Sequence, residues 1–223
     1  MPLALITGAS RGLGRALAQA LYDDGWDLVL DARDAAPLRS SAPAGATAVP
    51  GDVTDPAHRE ALRATVATHG QLDLLVNNAS TLGPSPRPAL ADYPVDALRH
   101  VFEVDVLAPL ALTQALLPFL TGAVVNVSSD AASEAYGGWG GYGSAKAALD
   151  HLTRVLAVER PDLRWYSFDP GDLRTQLHQE AFPGEDISDR PLPETVVPAF
   201  LALLRLPSGR YRAVDLLAAA AAR

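Results

Sequence analysis

The chain of 223 residues lacks cysteine, which excludes disulfide bonds, thiolate metal sites and a cysteine nucleophile. Lysine is almost absent as well, because Lys146 is the only one and every other basic residue except histidine is arginine. Long apolar runs are also missing. The amino terminus, MPLALITGAS, has no basic region and only a short apolar stretch, which argues against a signal peptide or a spanning helix. We therefore expect a cytoplasmic protein without a membrane partner.

Positive charge is scarce overall, since the formal net charge is −8 and the pI is close to 5.0. Nucleic acids and anionic membranes require a basic face, so we expect neither as a partner. Small molecules remain as the expected ligands. A chain that is 48% hydrophobic can bury an ordinary core, and its length fits one α/β domain better than two.

Short apolar runs alternate with longer helical patterns along the chain, which is typical of repeated β-α units around a parallel sheet. The predicted strands are 3–7, 27–32, 46–50, 72–78, 123–129 and 163–169, with a seventh at RYRAVD, residues 210–215. The predicted helices are 12–23, 56–68, 95–119, 142–158 and 193–204, and residues 34–45 form a short crossover. These patterns predict one α/β domain over 1–223, with a doubly wound, mostly parallel seven-stranded sheet and helices on both faces.

A glycine-rich turn, TGASRGLG, joins the first predicted strand to the first predicted helix through Gly8, Gly12 and Gly14. Glycine lets the backbone turn sharply and lets a pyrophosphate approach, while free N–H groups and the helix dipole favour negative charge. This position favours a dinucleotide site, although a tight and closely packed turn is the alternative. In a dinucleotide site the turn would also bring Ser10, Arg11 and Leu13 to the cofactor.

Five segments together resemble the short-chain dehydrogenase/reductase family: TGASRGLG, NNA at 77–79, NVSS at 126–129, YGSAK at 142–146 and PGDLRT at 170–175. Their order and spacing match over essentially the whole chain. The resemblance implies a Rossmann fold, a nicotinamide dinucleotide cofactor, and hydride transfer between that cofactor and a carbonyl or alcohol. It also implies that helices 95–119 and 142–158 pair between subunits, giving a homodimer or homotetramer.

Tyr142 and Lys146 are four residues apart, so on a helix they lie on one face, one turn apart. A tyrosine hydroxyl has an unperturbed pKa of about 10, and lowering it by about three units takes roughly 4 kcal/mol, which a nearby ammonium can supply. A compact ammonium can serve both a phenol and a sugar, whereas the planar fork of arginine has different requirements. The resemblance makes Tyr142 the acid/base and Lys146 its activator and ribose anchor. A surface lysine on an amphipathic helix is the alternative.

By the same resemblance, Ser129 holds the substrate oxygen, with Ser128 or a plain capping role as alternatives. The family normally carries an asparagine on the long helix, where it helps to hold a water that relays protons to the lysine, and here Asp105 stands in its place. An ionised aspartate only accepts hydrogen bonds, so it can hold the water, pair with Lys146, or weaken the effect of Lys146 on Tyr142. Ser80 is a second departure, because a glycine usually follows NNA.

The end of the second strand, VLDARD, bears on the choice between NAD and NADP. Alignment of the apolar run puts Ala32 at the ribose position, so Arg33 and Arg11 can clamp a 2′-phosphate, whereas a shift of one residue would make Asp31 a ribose acceptor. We predict NADP(H), with NAD(H) as the alternative. The resemblance implies further cofactor contacts at Asp52, Val53, Asn77, Ala79, Pro170, Gly171, Leu173 and Thr175.

Residues 174–190 are expected to form a short lid over the substrate pocket. The five histidines, at 58, 69, 100, 151 and 178, show no metal-ligand spacing, so we predict no metal and place them on the surface or on helices. Two other functions stay open. Asp105 and Ser80 favour a catalytically silent dinucleotide-binding sensor or scaffold, and an isomerase or dehydratase on the same fold is a third possibility. The complete set of Ser129, Tyr142 and Lys146 favours the oxidoreductase.

Overall fold

In the computed structural model, which describes residues 1–222, seven strands form a single sheet. The strands are β1 (Leu3–Ile6), β2 (Asp27–Ala32), β3 (Thr47–Pro50), β4 (Leu72–Asn77), β5 (Leu120–Val127), β6 (Arg164–Asp169) and β7 (Gly209–Arg212). They are arranged in the order β3-β2-β1-β4-β5-β6-β7, and each neighbouring pair is parallel. The chain starts in the middle of the sheet, winds to one edge and then to the other, so the order reverses between β1 and β4.

The helices are α1 (Gly12–Asp23), α2 (Ala35–Ser41), α3 (Pro56–His69), α4 (Val95–Phe102), α5 (Ala108–Leu116), α6 (Gly140–Glu159), α7 (Gln176–Ala181), α8 (Val197–Leu203) and α9 (Ala213–Ala221). A π-helical segment, Glu103–Leu107, joins α4 to α5. Single 3₁₀ turns lie at Leu90–Asp92, Asp130–Ala132 and Pro193–Val196. Within residues 1–222, no helix combines the length and apolar character needed to cross a membrane. The cytoplasmic location stays a prediction.

Both faces of the sheet are apolar, which is why the strands appear in the sequence as continuous hydrophobic runs. Side chains on one strand alternate between the faces. Ile6 and Leu30 pack against α1, α8 and α9 on one face, whereas Leu5 and Val29 pack against α3 and α5 on the other. The carboxyl ends of the parallel strands therefore meet at one rigid edge, where loops can carry a site.

The predicted doubly wound fold is confirmed, and several predicted boundaries need correction. The single helix 95–119 is interrupted by the π-helical segment and ends at Leu116. The predicted seventh strand stops at Arg212, because Ala213 begins α9, which the alanine-rich tail forms. The crossover 34–45 contains the seven-residue helix α2.

Candidate active site

A cleft opens at the carboxyl ends of the strands, beside the point where the strand order reverses. It is lined by the loops after β1 to β6 and by the first turns of α6. Most residues predicted for the site lie here: Gly8, Ser10, Arg11, Gly12, Leu13, Arg33, Asp52, Val53, Ala79, Ser129, Tyr142, Lys146, Pro170, Gly171, Leu173 and Thr175. Three predicted residues, Gly14, Asn77 and Asp105, do not line the cleft.

The turn after β1 has a backbone that requires glycine. Gly8 and Gly12 adopt left-handed φ values of 66° and 54°, and a Cβ atom on Gly8 would lie 2.9 Å from the Cα atom of Ala79. At Gly14 a Cβ atom would overlap the carbonyl oxygen of Gly8, so this glycine serves close packing of α1 under the turn. The first turn of α1 has no side-chain cap and no acidic residue, which leaves its N–H groups free for an anion. This cradle fits a dinucleotide pyrophosphate.

The two asparagines at the end of β4, Asn77 in the strand and Asn78 just after it, face opposite ways, and this corrects the prediction that Asn77 contacts the ribose. The Asn77 side chain is 4% exposed and donates hydrogen bonds to Asn126 Oδ1 at 2.8 Å and Thr113 Oγ1 at 3.3 Å. Asn78, which sequence reasoning did not single out, donates from Nδ2 to the carbonyl oxygens of Thr7 and Gly8 at 2.8 and 3.2 Å. Asn77 therefore braces the core, and Asn78 holds the glycine turn.

Tyr142 and Lys146 lie one turn apart near the start of α6, as their spacing predicts. The Lys146 Nζ atom is 5.4 Å from the centre of the Tyr142 ring and donates to the carbonyl oxygen of Val127 at 3.1 Å. Burial raises the pKa of the Tyr142 phenol above its ordinary value; Lys146 opposes this rise, while Asp105 and Asp169 add to it. The expected lowering of the tyrosine pKa by Lys146 is thus outweighed by burial and by nearby carboxylates.

The two departures from the family pattern, Ser80 and Asp105, contact each other. The Ser80 hydroxyl donates to Asp105 Oδ1 at 2.5 Å, and Lys146 Nζ lies 3.2 Å from the same oxygen. The backbone N–H of Thr81 donates to the other carboxylate oxygen at 3.4 Å. Of the roles considered for Asp105, pairing with Lys146 is present in the structure.

Asp105 reaches this position from the π-helical segment, a local widening that is frequent at functional sites. Its side chain is 0% exposed and that of Lys146 is 2% exposed, so the ion pair is almost completely buried. Burial raises the pKa of Asp105, and Lys146 and Ser80 oppose that rise. Burial also disfavours the charged form of Lys146, but Asp105 and Tyr142 more than offset it and raise the lysine pKa. Three donors face the Asp105 carboxylate, which is the pattern that suits an ionised, acceptor-only group.

Ser129 follows β5 and caps the 3₁₀ turn that comes after it. Its Oγ atom accepts from the backbone N–H of Ala131 at 3.2 Å, and its hydroxyl donates to Asp130 Oδ1 at 3.0 Å. Ser128 also lines the cleft, and its buried hydroxyl has no partner among the described residues. Both the capping role and the cleft position considered for Ser129 are therefore present together.

At the side of the cleft formed by the loop after β2, the imidazole ring of His58 contacts the carboxylate of Asp31. His58 Nε2 lies 2.6 Å from Asp31 Oδ1, and the two side chains are 6% and 1% exposed. His58 thus lies on helix α3, one of the two positions predicted for the histidines, and its side chain is buried against β2. Arg33 is exposed at the rim of the cleft. Arg11 donates to Gln176 Oε1 in α7, so it bridges the glycine turn and the segment 174–190.

Asp52 and Thr175, two further predicted cofactor contacts, also shape their own loops. Asp52 Oδ1 accepts from the backbone N–H and the hydroxyl of Thr54, both at 2.8 Å, so this carboxylate also stabilises the turn before α3. Although burial opposes ionisation, these bonds hold the pKa of Asp52 below its ordinary value. Thr175 caps α7, because its hydroxyl oxygen accepts from the N–H of His178 at 3.2 Å.

Next to Tyr142 the cleft has an aromatic wall. The Trp139 and Tyr142 rings meet edge to face with their centres 5.8 Å apart, and the Arg87 guanidinium lies over Trp139 at 4.1 Å and over Phe182 at 4.8 Å. His178 lines the same region, is 5% exposed, and has an Nε2 atom without a partner among the described residues. His178 lies on helix α7, as the prediction of surface or helix positions allows, but its side chain is buried.

Comparisons with known proteins agree with this geometry. Residues 2–186 match the family model for the short chain dehydrogenases. This chain belongs to the short-chain dehydrogenase/reductase family. Sepiapterin reductase from Xenopus laevis is 35% identical over 80% of this chain and 76% of its own, and a benzil reductase that forms (S)-benzoin, from Saccharomyces cerevisiae, is 33% identical over 79% and 73%.

Among solved structures, a short chain dehydrogenase from Shigella flexneri complexed with NADP has a TM-score of 0.88. It is 27% identical, and the match covers 95% of this chain and 96% of that one. Another, from Escherichia coli and complexed with NADPH, has a TM-score of 0.88 at 28% identity, covering 95% and 96%. The predicted family and fold and the predicted enzyme class, an NAD(P)-dependent oxidoreductase that acts on small molecules, are confirmed.

Proposed function

We propose that this short-chain dehydrogenase is an NADP(H)-preferring enzyme that exchanges a carbonyl and an alcohol, with Tyr142 as the acid/base. The observation that carries the proposal is the convergence of Ser129, Tyr142 and Lys146 on one cleft that also contains the glycine turn. A nicotinamide dinucleotide, when bound there, supplies or accepts the hydride.

The chain itself handles the oxygen of the substrate. The Ser129 hydroxyl donates to that oxygen after releasing Asp130, and the Tyr142 phenol gives it a proton during reduction or removes one during oxidation. Lys146 keeps a fixed positive charge beside the phenol and, with its remaining donor capacity, holds the ribose. The aromatic wall of Trp139 and Tyr142 keeps water from the reacting carbon.

The proposed preference for NADP(H) is based on the different environments of Asp31 and Arg33. NAD-binding members need a carboxylate that accepts hydrogen bonds from the ribose hydroxyls. The Asp31 carboxylate is instead paired with His58, so we infer that it does not serve as that acceptor. Arg33 at the rim then meets a 2′-phosphate with charge-assisted hydrogen bonds. Two structural neighbours complexed with NADP and NADPH support the same choice.

The substrate we propose is a small or medium carbonyl compound with an aromatic or other flat apolar part. Trp139 packs beside Tyr142, and Leu177 and Phe182, which belong to the proposed lid 174–190, complete this apolar wall. The names of two relatives, sepiapterin reductase and benzil reductase, support a compound of this kind.

We also propose that the enzyme forms a homodimer or homotetramer through α4, α5 and α6. Apolar side chains on α4, on α6 and on the π-helical segment between α4 and α5 are exposed in the single chain, with Val158 at 81%, Val95 at 62% and Leu107 at 50%. Light scattering coupled to size-exclusion chromatography tests this, and a monomer at all concentrations would refute it.

A fluorescence titration with NADPH and NADH tests the cofactor proposal. Wild-type protein should bind NADPH more tightly, and Arg33→Ala should weaken NADPH binding about tenfold or more while NADH binding changes little. Arg39→Ala on α2 is the matched control and should behave like wild type. Equal binding of the two nucleotides by wild-type protein would refute the NADP(H) preference.

Turnover tests the role of Tyr142. Benzil and sepiapterin serve as probe carbonyl compounds, and NADPH oxidation is followed with wild-type protein and with Tyr142→Phe. The variant should still bind NADPH but lose turnover by at least about a hundredfold. A variant with near-normal turnover would refute the role of Tyr142. Binding of NADPH by wild-type protein without turnover of any carbonyl probe would favour the silent sensor instead.

A further inference from the structure

The Asp105 carboxylate is the group in the active site whose function the proposed reaction leaves unexplained. It does not touch the cleft, yet it holds Lys146 at 3.2 Å in a buried ion pair. Its second oxygen is fixed by the backbone N–H of Thr81, and the Ser80 hydroxyl fixes the first. A carboxylate held by three donors in the interior cannot turn away from Lys146 without leaving buried polar groups unpaired.

The field at Tyr142 is consequently different from that beside a lone lysine. The positive charge of Lys146 favours phenolate, and the negative charge of Asp105 behind it favours the phenol. Ser80 also lines the cleft, and its hydroxyl donates to Asp105 Oδ1 at 2.5 Å; its hydrogen bonding towards Tyr142 lowers the pKa of the phenol and so opposes the effect of Asp105. Burial and the negative charge of Asp105 outweigh Lys146 and Ser80, so the pKa of Tyr142 is raised and the protonated tyrosine is favoured.

Other charged groups near this site do not reverse the balance. Asp169 at the end of β6 also disfavours the phenolate, and it is itself paired with Arg210 and Arg212 at 3.5 Å. Asp150, on the same helix as Lys146, faces the lysine and is paired with Arg210 at 3.0 Å. Tyr93 before α4 is a neutral phenol near Asp105, whose charge adds to the effect of burial in raising the Tyr93 pKa.

We propose that Asp105, held in place by Ser80, is a positioning residue that counterbalances Lys146 and keeps Tyr142 in its proton-donating form. The enzyme then works as a reductase throughout neutral and mildly alkaline pH, because the Tyr142 phenol, which protonates the substrate oxygen, keeps its proton. This inference rests on the proposed function for its catalytic meaning. The ionisation of Tyr142 can nevertheless be measured without any cofactor or substrate.

The first test is an ultraviolet absorbance titration of the tyrosine phenolates in ligand-free protein. Wild-type protein and Asp105→Asn are each titrated beside the same protein carrying Tyr142→Phe, so that the difference reports Tyr142 alone. Asp105→Asn should shift the Tyr142 titration downward by about one pH unit or more, because it removes the opposing charge. Glu103→Gln is the matched control, since it removes a half-buried carboxylate from the same π-helical segment, and it should leave the titration unchanged.

The second variant is Ser80→Gly/Asp105→Asn, which restores the residues that the family usually carries at both positions. It should show the same downward shift, and it keeps the test open if Asp105→Asn alone fails to fold. An unchanged Tyr142 titration in the folded single or double variant would overturn the proposal.

The pH profile of benzil reduction provides the kinetic readout. The alkaline fall in kcat/KM should move downward in Asp105→Asn by the same interval as the Tyr142 titration, and Glu103→Gln should not move it. A profile that stays in place while turnover falls would assign Asp105 a purely structural role and overturn the inference. Retained turnover in Tyr142→Phe would instead refute the proposed function, so the two failures are distinguishable.

Discussion

Replacing Lys146 by methionine should destabilise the protein severely, because it leaves the Asp105 charge without a counter-ion in the interior. At 3.2 Å, Coulomb's law gives an attraction of about 5 kcal/mol with an effective dielectric constant of about 20. Removing one partner of such a pair costs about 3–5 kcal/mol in measured cases. For a domain of this size the melting temperature should therefore fall by about 6–20 °C.

The assay is urea and thermal unfolding followed by circular dichroism at neutral pH. Lys146→Met/Asp105→Asn should be more stable than Lys146→Met, because neither buried charge is then left alone. Arg99→Met is the control, since it breaks an ion pair with Asp96 whose side chains are 74% and 93% exposed, and it should cost less than about 1 kcal/mol. A loss of less than about 1 kcal/mol in Lys146→Met would refute the energetic importance of this buried ion pair.

Two further predictions concern other parts of the cleft. Burial lowers the pKa of the folded-state His178 below about 6.5, so between the two values the unfolded chain binds more protons than the folded one. The free energy of unfolding should therefore decrease as the pH falls through this range. When urea unfolding is measured against pH, His178→Gln should give a flatter pH dependence, whereas the control His151→Gln, at an exposed position, should leave it unchanged. Gly14→Ala places a Cβ atom against the Gly8 carbonyl oxygen, so it should lower the free energy of unfolding by about 1–3 kcal/mol and weaken NADPH binding. Gly137→Ala is the control and should be neutral, because no atom lies within 4 Å of its Cβ position. Equal effects of the two variants would contradict the packing role of Gly14.

The sequence was most informative where the relevant geometry is local. The glycine turn is set by φ values that glycine tolerates, and Tyr142 and Lys146 meet because they are four residues apart on one helix. The strands were predictable because both faces of the sheet are buried and each strand is a continuous apolar run. Such features depend on a few neighbouring residues in the sequence and not on how distant segments pack.

The assignment of Asn77 failed for a reason of register. Adjacent residues of a strand point to opposite faces, so an error of one position exchanges the side chain in the core for the side chain at the turn. Only the pleat of β4 against β1 and β5 decides that Asn77 enters the core and that Asn78 holds the glycine turn. A composition or a motif carries no information on this choice.

The contact between Asp31 and His58 was hidden for a different reason. The two residues are separated along the chain and meet because α3 packs against β2, where Gly51 leaves room for the imidazole ring. From the sequence alone, Asp31 stays an alternative ribose acceptor and His58 an ordinary helix residue. The proposed cofactor preference therefore depends on a tertiary contact, which shows that the Asp31 carboxylate is already engaged.

The two departures from the family pattern, Ser80 and Asp105, also have a different significance once their contact in the folded structure is known. Taken separately, Ser80 adds bulk beside the site and Asp105 replaces a neutral amide by a charge, so each argues for a silent member of the family. In three dimensions the Ser80 hydroxyl donates to the Asp105 carboxylate, and the carboxylate faces Lys146. Each residue thus satisfies a polar group that the other would leave buried and unpaired. Two substitutions that complete one hydrogen-bonded cluster beside an intact tyrosine and lysine are evidence for a retained and adjusted site, and the case for a silent protein loses the features on which it depended.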